Sequence, residues 1–185
     1  VEWDAVELPS QFMENWCYDR DTVRRLSRHA ETGEFLPDDL FGKLVSAKNH
    51  FSANNMLRQL FLAATDMDLY ARYPRPEWTD ADAVKCRNAA LFLPTSLLPE
   101  DRSLCAFSHI FAGAYAAGYY SYKWSELYSA EAFAAFEEAG LDNDAEMRAV
   151  GQRFRSTLLA LGGGADPVEI FKMFRGKAPT ADALL

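Results

Sequence analysis

Two glutamates near the amino end of the chain could serve as metal ligands. Glu7 and Glu14 are seven residues apart, and on an α-helix this spacing places both carboxylates on one face, about two turns from each other. Carboxylate oxygens are frequent zinc ligands. In the structural alternative, Glu7 lies at a helix start just before Pro9, where an acid is favourable, and Glu14 is a surface or hydrogen-bonded residue. The spacing alone leaves both interpretations open.

A second candidate group combines one histidine with three tyrosines. His109 is followed by Tyr115, Tyr119 and Tyr122, and the spacing of the tyrosines predicts one stripe on a helix. Phenolic hydroxyls in a row could donate hydrogen bonds to a developing oxyanion, and a nearby imidazole could do the same or orient a substrate. The alternative is a packed tyrosine face with a core histidine. Small residues such as Gly113 separate the tyrosines and allow a substrate or another backbone to approach closely.

Other reactive patterns are weak. The glycines at 162–164 lack the Lys-Ser/Thr of a phosphate-binding loop and are typical of a helix stop. His29 and His50 have no His-Glu-x-x-His context, and Cys17 has no histidine at a spacing that indicates a catalytic pair. We interpret these residues as structural or surface residues.

Helices must position the candidate residues, because apolar side chains recur at helical spacing along most of the chain and alternating strand patterns are scarce. The predicted fold class is therefore all-α, with Asp21 as an N-cap and Gly140 as a helix stop. Without internal repeats or flexible linkers, residues 1–185 are predicted to form a single helical domain. The predicted helices are Pro9 to Trp16, Asp21 to Ala30, Pro37 or Asp38 to Lys48, Phe51 to Tyr70 (separate from the preceding helix or continuous with it), Asp80 to Asn88, Ser125 to Glu138, Gln152 to Leu161 and Pro167 to Phe174.

Composition and charge argue against several classes of partner. The 185 residues are 49% hydrophobic, which is enough for one folded domain. A net charge of −8 disfavours nucleic acid and anionic membranes, because both are polyanions. No run reaches the roughly 18 to 20 apolar residues of a membrane-spanning helix. The three scattered cysteines favour a reducing, cytoplasmic compartment. Because the chain opens at Val1 without a signal-peptide pattern, we expect a fragment of a longer protein.

Two segments carry a resemblance to a known family. Residues 1–16 read VEWDAVELPSQFMENW, and residues 107–122 read FSHIFAGAYAAGYYSY. The first resembles the stretch after the His-Glu-x-x-His helix in the thimet oligopeptidase, neurolysin, oligopeptidase A and peptidyl-dipeptidase group of zinc peptidases. The second resembles that family's substrate-binding segment. The runs LRQL, GQRFR, GGGADPVEIF and FRG resemble further family signatures, so the resemblance covers nearly the whole chain and is strongest with the bacterial oligopeptidase A branch.

The resemblance implies the helical carboxy-terminal lobe of a zincin-type oligopeptidase. The glutamate of the family's Glu-x-Pro-Ser-Gln motif, its third zinc ligand, falls on Glu7. The full-length enzyme would bind one zinc ion, with two histidine ligands and the general base upstream of Val1. A catalytic zinc site normally needs three protein ligands. We therefore expect the isolated chain to be inactive.

The resemblance also implies roles in the second segment. The family's catalytic histidine and two of its tyrosines fall on His109, Tyr115 and Tyr122, and its substrate-binding positions fall on Gly113 and Tyr119. One departure is the order Gly-Ala-Tyr at residues 113–115, where the family has Gly-Gly-Tyr. Alanine has less freedom than glycine at positive φ, which puts the mobility of this loop in question.

The predicted function is hydrolysis of short peptides by metal-activated water in the complete enzyme. The predicted partners are peptide substrates and the amino-terminal part of the same polypeptide. The alternative is a non-catalytic helical module of the same fold that binds peptides or a protein partner.

Overall fold

The computed structural model describes residues 1–78 and 80–184. Within these ranges the chain is helical and contains no β-strand, only an isolated bridge between Arg75 and Trp78. The predicted all-α class is thus confirmed. None of the helices in the described ranges combines the length and the apolar character needed to cross a membrane.

The described residues contain nine α-helices, numbered here in chain order. They are α1 (Leu8–Asn15), α2 (Arg20–Leu26), α3 (Asp38–Lys48), α4 (Ser52–Ala71), α5 (Ala81–Phe92), α6 (Ser108–Phe111), α7 (Ser121–Ala139), α8 (Asp144–Phe154) and α9 (Pro167–Arg175). A π-helical turn, Arg155–Leu159, directly continues α8, and short 3-10 helices lie at Trp3–Ala5, Trp16–Tyr18 and Ser103–Ala106.

The helices divide into two compact units. The first unit contains residues 1–48 and the described residues from 121 onward, and the second contains residues 49–120. Glu7 and Tyr122 belong to the first unit, whereas His109 and Tyr115 belong to the second. The expectation of one domain over residues 1–185 stays a prediction.

The core of the first unit is aromatic. Phe12 of α1 stacks on Phe154 of α8 with ring centroids 4.4 Å apart, and it also contacts the rings of Phe133 and Phe136 on α7. Phe171 of α9 is fully buried in the same cluster. Burial of these rings is the main force that holds α1 against α7. This packing fixes the position of α1, which begins directly after Glu7.

The second unit is built around α4 and α5, and its interior contains several polar side chains. Buried apolar side chains such as Phe61 and Val84 alternate with buried polar ones. Asn88 of α5 donates a hydrogen bond to the Asp68 carboxylate of α4 at 3.0 Å. Lys85, only 3% exposed, pairs with the Asp101 carboxylate at 2.9 Å. These bonds satisfy polar groups that would be costly to bury alone.

Several helix limits differ from the prediction. Asp19 caps α2 instead of Asp21, because its carboxylate accepts a bond from the Thr22 N–H at 2.9 Å. This helix ends at Leu26 rather than Ala30. At Phe51 the left-handed φ of 56° interrupts the helical backbone, so α3 and α4 are separate.

Three other boundaries also moved. Helix α5 runs four residues beyond Asn88, to Phe92, and α7 begins at Ser121 instead of Ser125. Helix α8 begins at Asp144, well before Gln152, and Asn143 caps it by accepting a bond from the Glu146 N–H. By contrast, the predicted limits of α3 and the stop at Gly140, whose φ is 86°, are confirmed.

Candidate functional site

Glu7 occupies the residue that immediately precedes α1. Its side chain is half-buried, and Pro9 lies in the first turn of the helix, where a proline needs no backbone donor. The Ser10 hydroxyl donates toward the Glu7 carboxylate, at 2.7 Å from Oε2, and also lies 2.9 Å from the Glu7 carbonyl oxygen. The Glu-x-Pro-Ser sequence therefore orients this carboxylate. Glu14, in the same helix, is exposed, as its surface interpretation predicts.

Tyr122 lies in the first turn of α7 and is half-buried. The side-chain amide of Gln11, on α1, donates a hydrogen bond to the backbone carbonyl of Tyr122 at 2.9 Å. The Ser125 hydroxyl, one turn later, bonds the Asp4 carbonyl at 2.8 Å. The segment that carries Glu7 is thus bound on both sides to the start of α7.

In the second unit, His109 lies close to two tyrosines. It is an exposed residue of the short helix α6. Its ring centroid is 6.0 Å from that of the half-buried Tyr115 and 5.7 Å from that of the buried Tyr119. Phe107 contacts Tyr119 edge to face from the other side, at 5.1 Å. The histidine and two of the predicted tyrosines therefore form one aromatic cluster.

The predicted helical stripe of tyrosines is wrong. Residues 116–120 form turns, and Ala117 has a left-handed φ of 54°. Helix begins only at Ser121, so Tyr122 is helical whereas Tyr115 and Tyr119 are not. Bonds from the backbone, such as the Tyr115 N–H to the His109 carbonyl at 3.1 Å, organise this segment instead.

Gly113 is packed against the backbone of His109. A Cβ atom at this position would lie 2.8 Å from the His109 carbonyl oxygen and 3.1 Å from its Cα. The Gly113 N–H donates to the Ser108 carbonyl at 2.6 Å. Glycine is therefore required here for close approach. Ala114 is not among the described residues with positive φ, so its replacement of a family glycine is compatible with this conformation.

Sequence reasoning missed Asp66. This carboxylate of α4 is completely buried and accepts hydrogen bonds from two backbone N–H groups of the turn before α7. Burial raises its pKa, and the bonds from the turn act against that rise. The sequence contains no local signal for this contact, since the partners are 51 and 53 residues away.

No complete metal site is present in the described ranges: they contain no group of three or more His, Cys, Asp or Glu side chains able to hold an ion. Glu7 fits the role of one ligand, since it is half-buried and its carboxylate is held by Ser10. Any zinc site that uses Glu7 needs further ligands from other residues.

Comparison with known proteins identifies the family. The model of peptidase family M3 matches residues 1–185. The chain belongs to this family. It is 53% identical to the organellar oligopeptidase A, chloroplastic/mitochondrial, and 51% identical to the probable cytosolic oligopeptidase A, both of Arabidopsis thaliana. It is 45% identical to oligopeptidase A of Escherichia coli (strain K12).

Each of these alignments covers the whole chain but only 23% to 27% of the relative. The chain thus spans about a quarter of the length of the curated relatives it matches. Their names place one relative in the cytosol and another in organelles. Membership of family M3 agrees with the resemblance carried by the two sequence segments.

Proposed function

We propose that this chain is the carboxy-terminal part of a zinc metallopeptidase that hydrolyses short peptides in the cytoplasm. The observation that carries the proposal is the oriented carboxylate of Glu7 at the start of α1, in a chain whose residues 1–185 all match peptidase family M3. In this proposal, residues 1–185 act as one domain of the longer protein, which we call the parent protein. The partners of this domain are the amino-terminal part of the parent protein and the peptide substrates.

Glu7 is the proposed zinc ligand of this chain. Ser10 fixes one of its carboxylate oxygens, which limits the orientations that the ligand can adopt. Two histidines upstream of Val1 complete the set, and the isolated chain is inactive because it has one ligand only. When bound, zinc supplies a Lewis acid for the scissile carbonyl and lowers the pKa of a water molecule.

The remaining roles belong to the second sequence segment. The hydroxyls of Tyr115 and Tyr122 donate hydrogen bonds to the oxyanion that develops on the scissile carbonyl. His109 donates to the same region or orients the substrate. Gly113 and Tyr119 bind the substrate backbone, because the glycine leaves room for it and the tyrosine offers a flat face and a hydroxyl.

A pair of variants of the parent protein tests the metal ligand. Glu7→Gln keeps the size of the side chain but removes its charge, and Glu14→Gln makes the same change at an exposed position of α1. We expect Glu7→Gln to lose zinc, measured by atomic absorption, and to lose turnover of a fluorogenic peptide. Glu14→Gln should keep both.

Two outcomes contradict the proposal in different ways. If Glu7→Gln retains stoichiometric zinc and full turnover, the ligand assignment is wrong. If the unmodified parent protein binds peptides but hydrolyses none, the non-catalytic binding module is the better description, and Glu7→Gln should then leave the peptide affinity unchanged.

A further inference from the structure

The buried carboxylate of Asp66 is directed at the backbone of the tyrosine segment. Asp66 lies in the carboxy-terminal half of α4 and has no exposed surface. Its Oδ1 accepts a hydrogen bond from the Ala117 N–H at 2.9 Å, and its Oδ2 accepts one from the Tyr119 N–H at 2.9 Å. Each carboxylate oxygen therefore has its own backbone donor in one tight turn.

These bonds explain why the turn is not helical. Alanine is the best helix former, yet Ala117 adopts a left-handed φ of 54°, which an L-residue seldom takes without compensation. Two charge-assisted bonds to one carboxylate provide that compensation. The two donors flank Gly118, so the backbone from Ala117 to Tyr119 turns around one carboxylate.

The turn carries the groups of the proposed site. The Gly118 N–H bonds the Tyr115 carbonyl at 2.9 Å, and the Tyr119 ring meets His109 edge to face at 82°. A displacement of the backbone at 117–119 would consequently move both tyrosines relative to His109. Asp66 acts on this segment through the backbone N–H groups of Ala117 and Tyr119.

We propose that Asp66 is a positioning residue for peptide hydrolysis: its two carboxylate oxygens hold the turn at 117–119 and thereby set Tyr115 and Tyr119 against His109. This inference rests on the proposed function for its catalytic consequence. The hydrogen-bonding role of Asp66 can be tested independently of that function.

The variant Asp66→Asn in the parent protein tests the inference. Asparagine has the same shape as aspartate but only one acceptor oxygen. Its side-chain NH2 group would therefore face one of the two backbone N–H groups, so that two donors oppose each other. The matched control is Asp68→Asn, which alters a second buried carboxylate of α4 whose partners are Arg72 at the end of α4 and Arg87 and Asn88 on α5.

For Asp66→Asn we expect at least a tenfold fall in kcat/KM for a fluorogenic peptide, with zinc content unchanged. Asp68→Asn should keep kcat and KM within about twofold at a similar loss of thermal stability. In a Tyr119→Phe background, the effect of Asp66→Asn should shrink, because the two changes act through one turn. Equal kinetic losses in the two aspartate variants would overturn the inference.

Hydrogen exchange in the unmodified parent protein provides a measurement that needs no variant. The amides of Ala117 and Tyr119 should exchange at least a hundredfold more slowly than an unstructured peptide. Free exchange at both amides would overturn the inference even if the enzyme were fully active. If the amides are protected but the parent protein hydrolyses no peptide, the proposed function is contradicted. The inference that Asp66 binds the turn at 117–119 would still stand.

Discussion

The side-chain amide of Gln11 donates a hydrogen bond to the backbone carbonyl of Tyr122, with 2.9 Å between Nε2 and the oxygen. This contact joins the Glu-x-Pro-Ser-Gln segment of α1 to the first turn of α7. It gives the glutamine of that sequence a physical role: Gln11 fixes the backbone of a proposed catalytic tyrosine from the helix that follows the proposed zinc ligand.

Replacement of Gln11 by leucine should therefore affect both stability and turnover. The variant loses one partly buried hydrogen bond, and we expect the free energy of unfolding to fall by about 1 kcal/mol. In the parent protein, kcat should fall more than KM rises, because the backbone of Tyr122 loses its hydrogen bond to α1. Urea unfolding and peptide kinetics measure the two effects. Gln152→Leu, at an exposed position of α8, should change neither.

The proposed oxyanion donors can be tested by removing single hydroxyls. Tyr115→Phe and Tyr122→Phe in the parent protein should each lower kcat by about 10²-fold to 10³-fold, as the loss of one such donor does elsewhere. Zinc content should stay unchanged. Tyr73→Phe, at an exposed residue outside the cluster, is the control. A twofold effect or less in both site variants would remove these tyrosines from the mechanism.

Two glycine substitutions should have opposite effects on stability. Gly113→Ala places a methyl group 2.8 Å from the His109 carbonyl oxygen, so the backbone must shift, and we expect a loss of about 1 to 3 kcal/mol. Gly42→Ala lies within α3 and meets no atom within 4 Å. It should stabilise the chain by roughly 0.5 to 1 kcal/mol, because alanine restricts the unfolded state and favours helix. Thermal unfolding of both variants decides the matter.

Helix boundaries could be predicted from the sequence where local signals agree with the final packing. The acidic first turn of α3 and Pro167 at the start of α9 are direct helix signals. The early start of α8 was also readable, since Asn143 is followed three residues later by Glu146, the spacing of a helix-start signal. The later apolar pattern instead predicts a start at Gln152, which is wrong.

The candidate site was less predictable from the sequence, because a distant contact decides its geometry. Helical spacing of Tyr115 and Tyr119 is real in the sequence, but Asp66 binds the intervening backbone and holds it in a turn. That contact bridges more than 50 residues, and no local pattern encodes it. The residue types of the site were available from sequence, whereas their relative orientation required the fold.

Acid should weaken the second unit through Asp101. Hydrogen bonds from the Ser103 side chain and from Lys85 lower the pKa of Asp101 to about 2, from a usual value of 3.8. A carboxyl whose pKa is lower in the folded state stabilises the fold above the unfolded pKa, and this contribution disappears as the pH falls toward 2. We expect Asp101→Asn to lower the free energy of unfolding by roughly 1 to 2 kcal/mol at pH 7, a range that allows for the partial exposure of the carboxylate.

The pH dependence distinguishes this charge effect from a simple loss of packing. The free energy of unfolding of the unmodified chain should exceed that of Asp101→Asn by a constant amount from pH 7 to about 5. This difference in stability should narrow between pH 4 and 2. Thermal unfolding across this range measures it. Glu100→Gln, an exposed neighbour, serves as the control. A difference that is the same at pH 3 as at pH 7 would show that the charge of Asp101 is not the cause.

The carboxy-terminal segment should depend on one buried carboxylate of α7. Glu131 is 1% exposed and accepts hydrogen bonds from the Thr180 hydroxyl at 2.7 Å and from Lys177 at 3.2 Å. The Arg175 guanidinium, 9% exposed, lies 3.6 Å away. Burial acts to raise the pKa of Glu131, but these bonds and positive charges outweigh burial and hold the pKa below its usual value.

We therefore expect Glu131→Gln to lower the free energy of unfolding by about 3 kcal/mol or more, because it removes the buried negative charge that faces Arg175 and Lys177 and leaves Arg175 only the exposed carboxylate of Glu138. Residues 177–184 should at the same time become sensitive to limited proteolysis. Glu138→Gln is the matched control: it weakens the bidentate pair of Arg175 on a 62% exposed carboxylate, and it should cost less than 1 kcal/mol. Equal losses of unfolding free energy in the two variants would mean that burial of Glu131 adds nothing to the strength of its ion pairs.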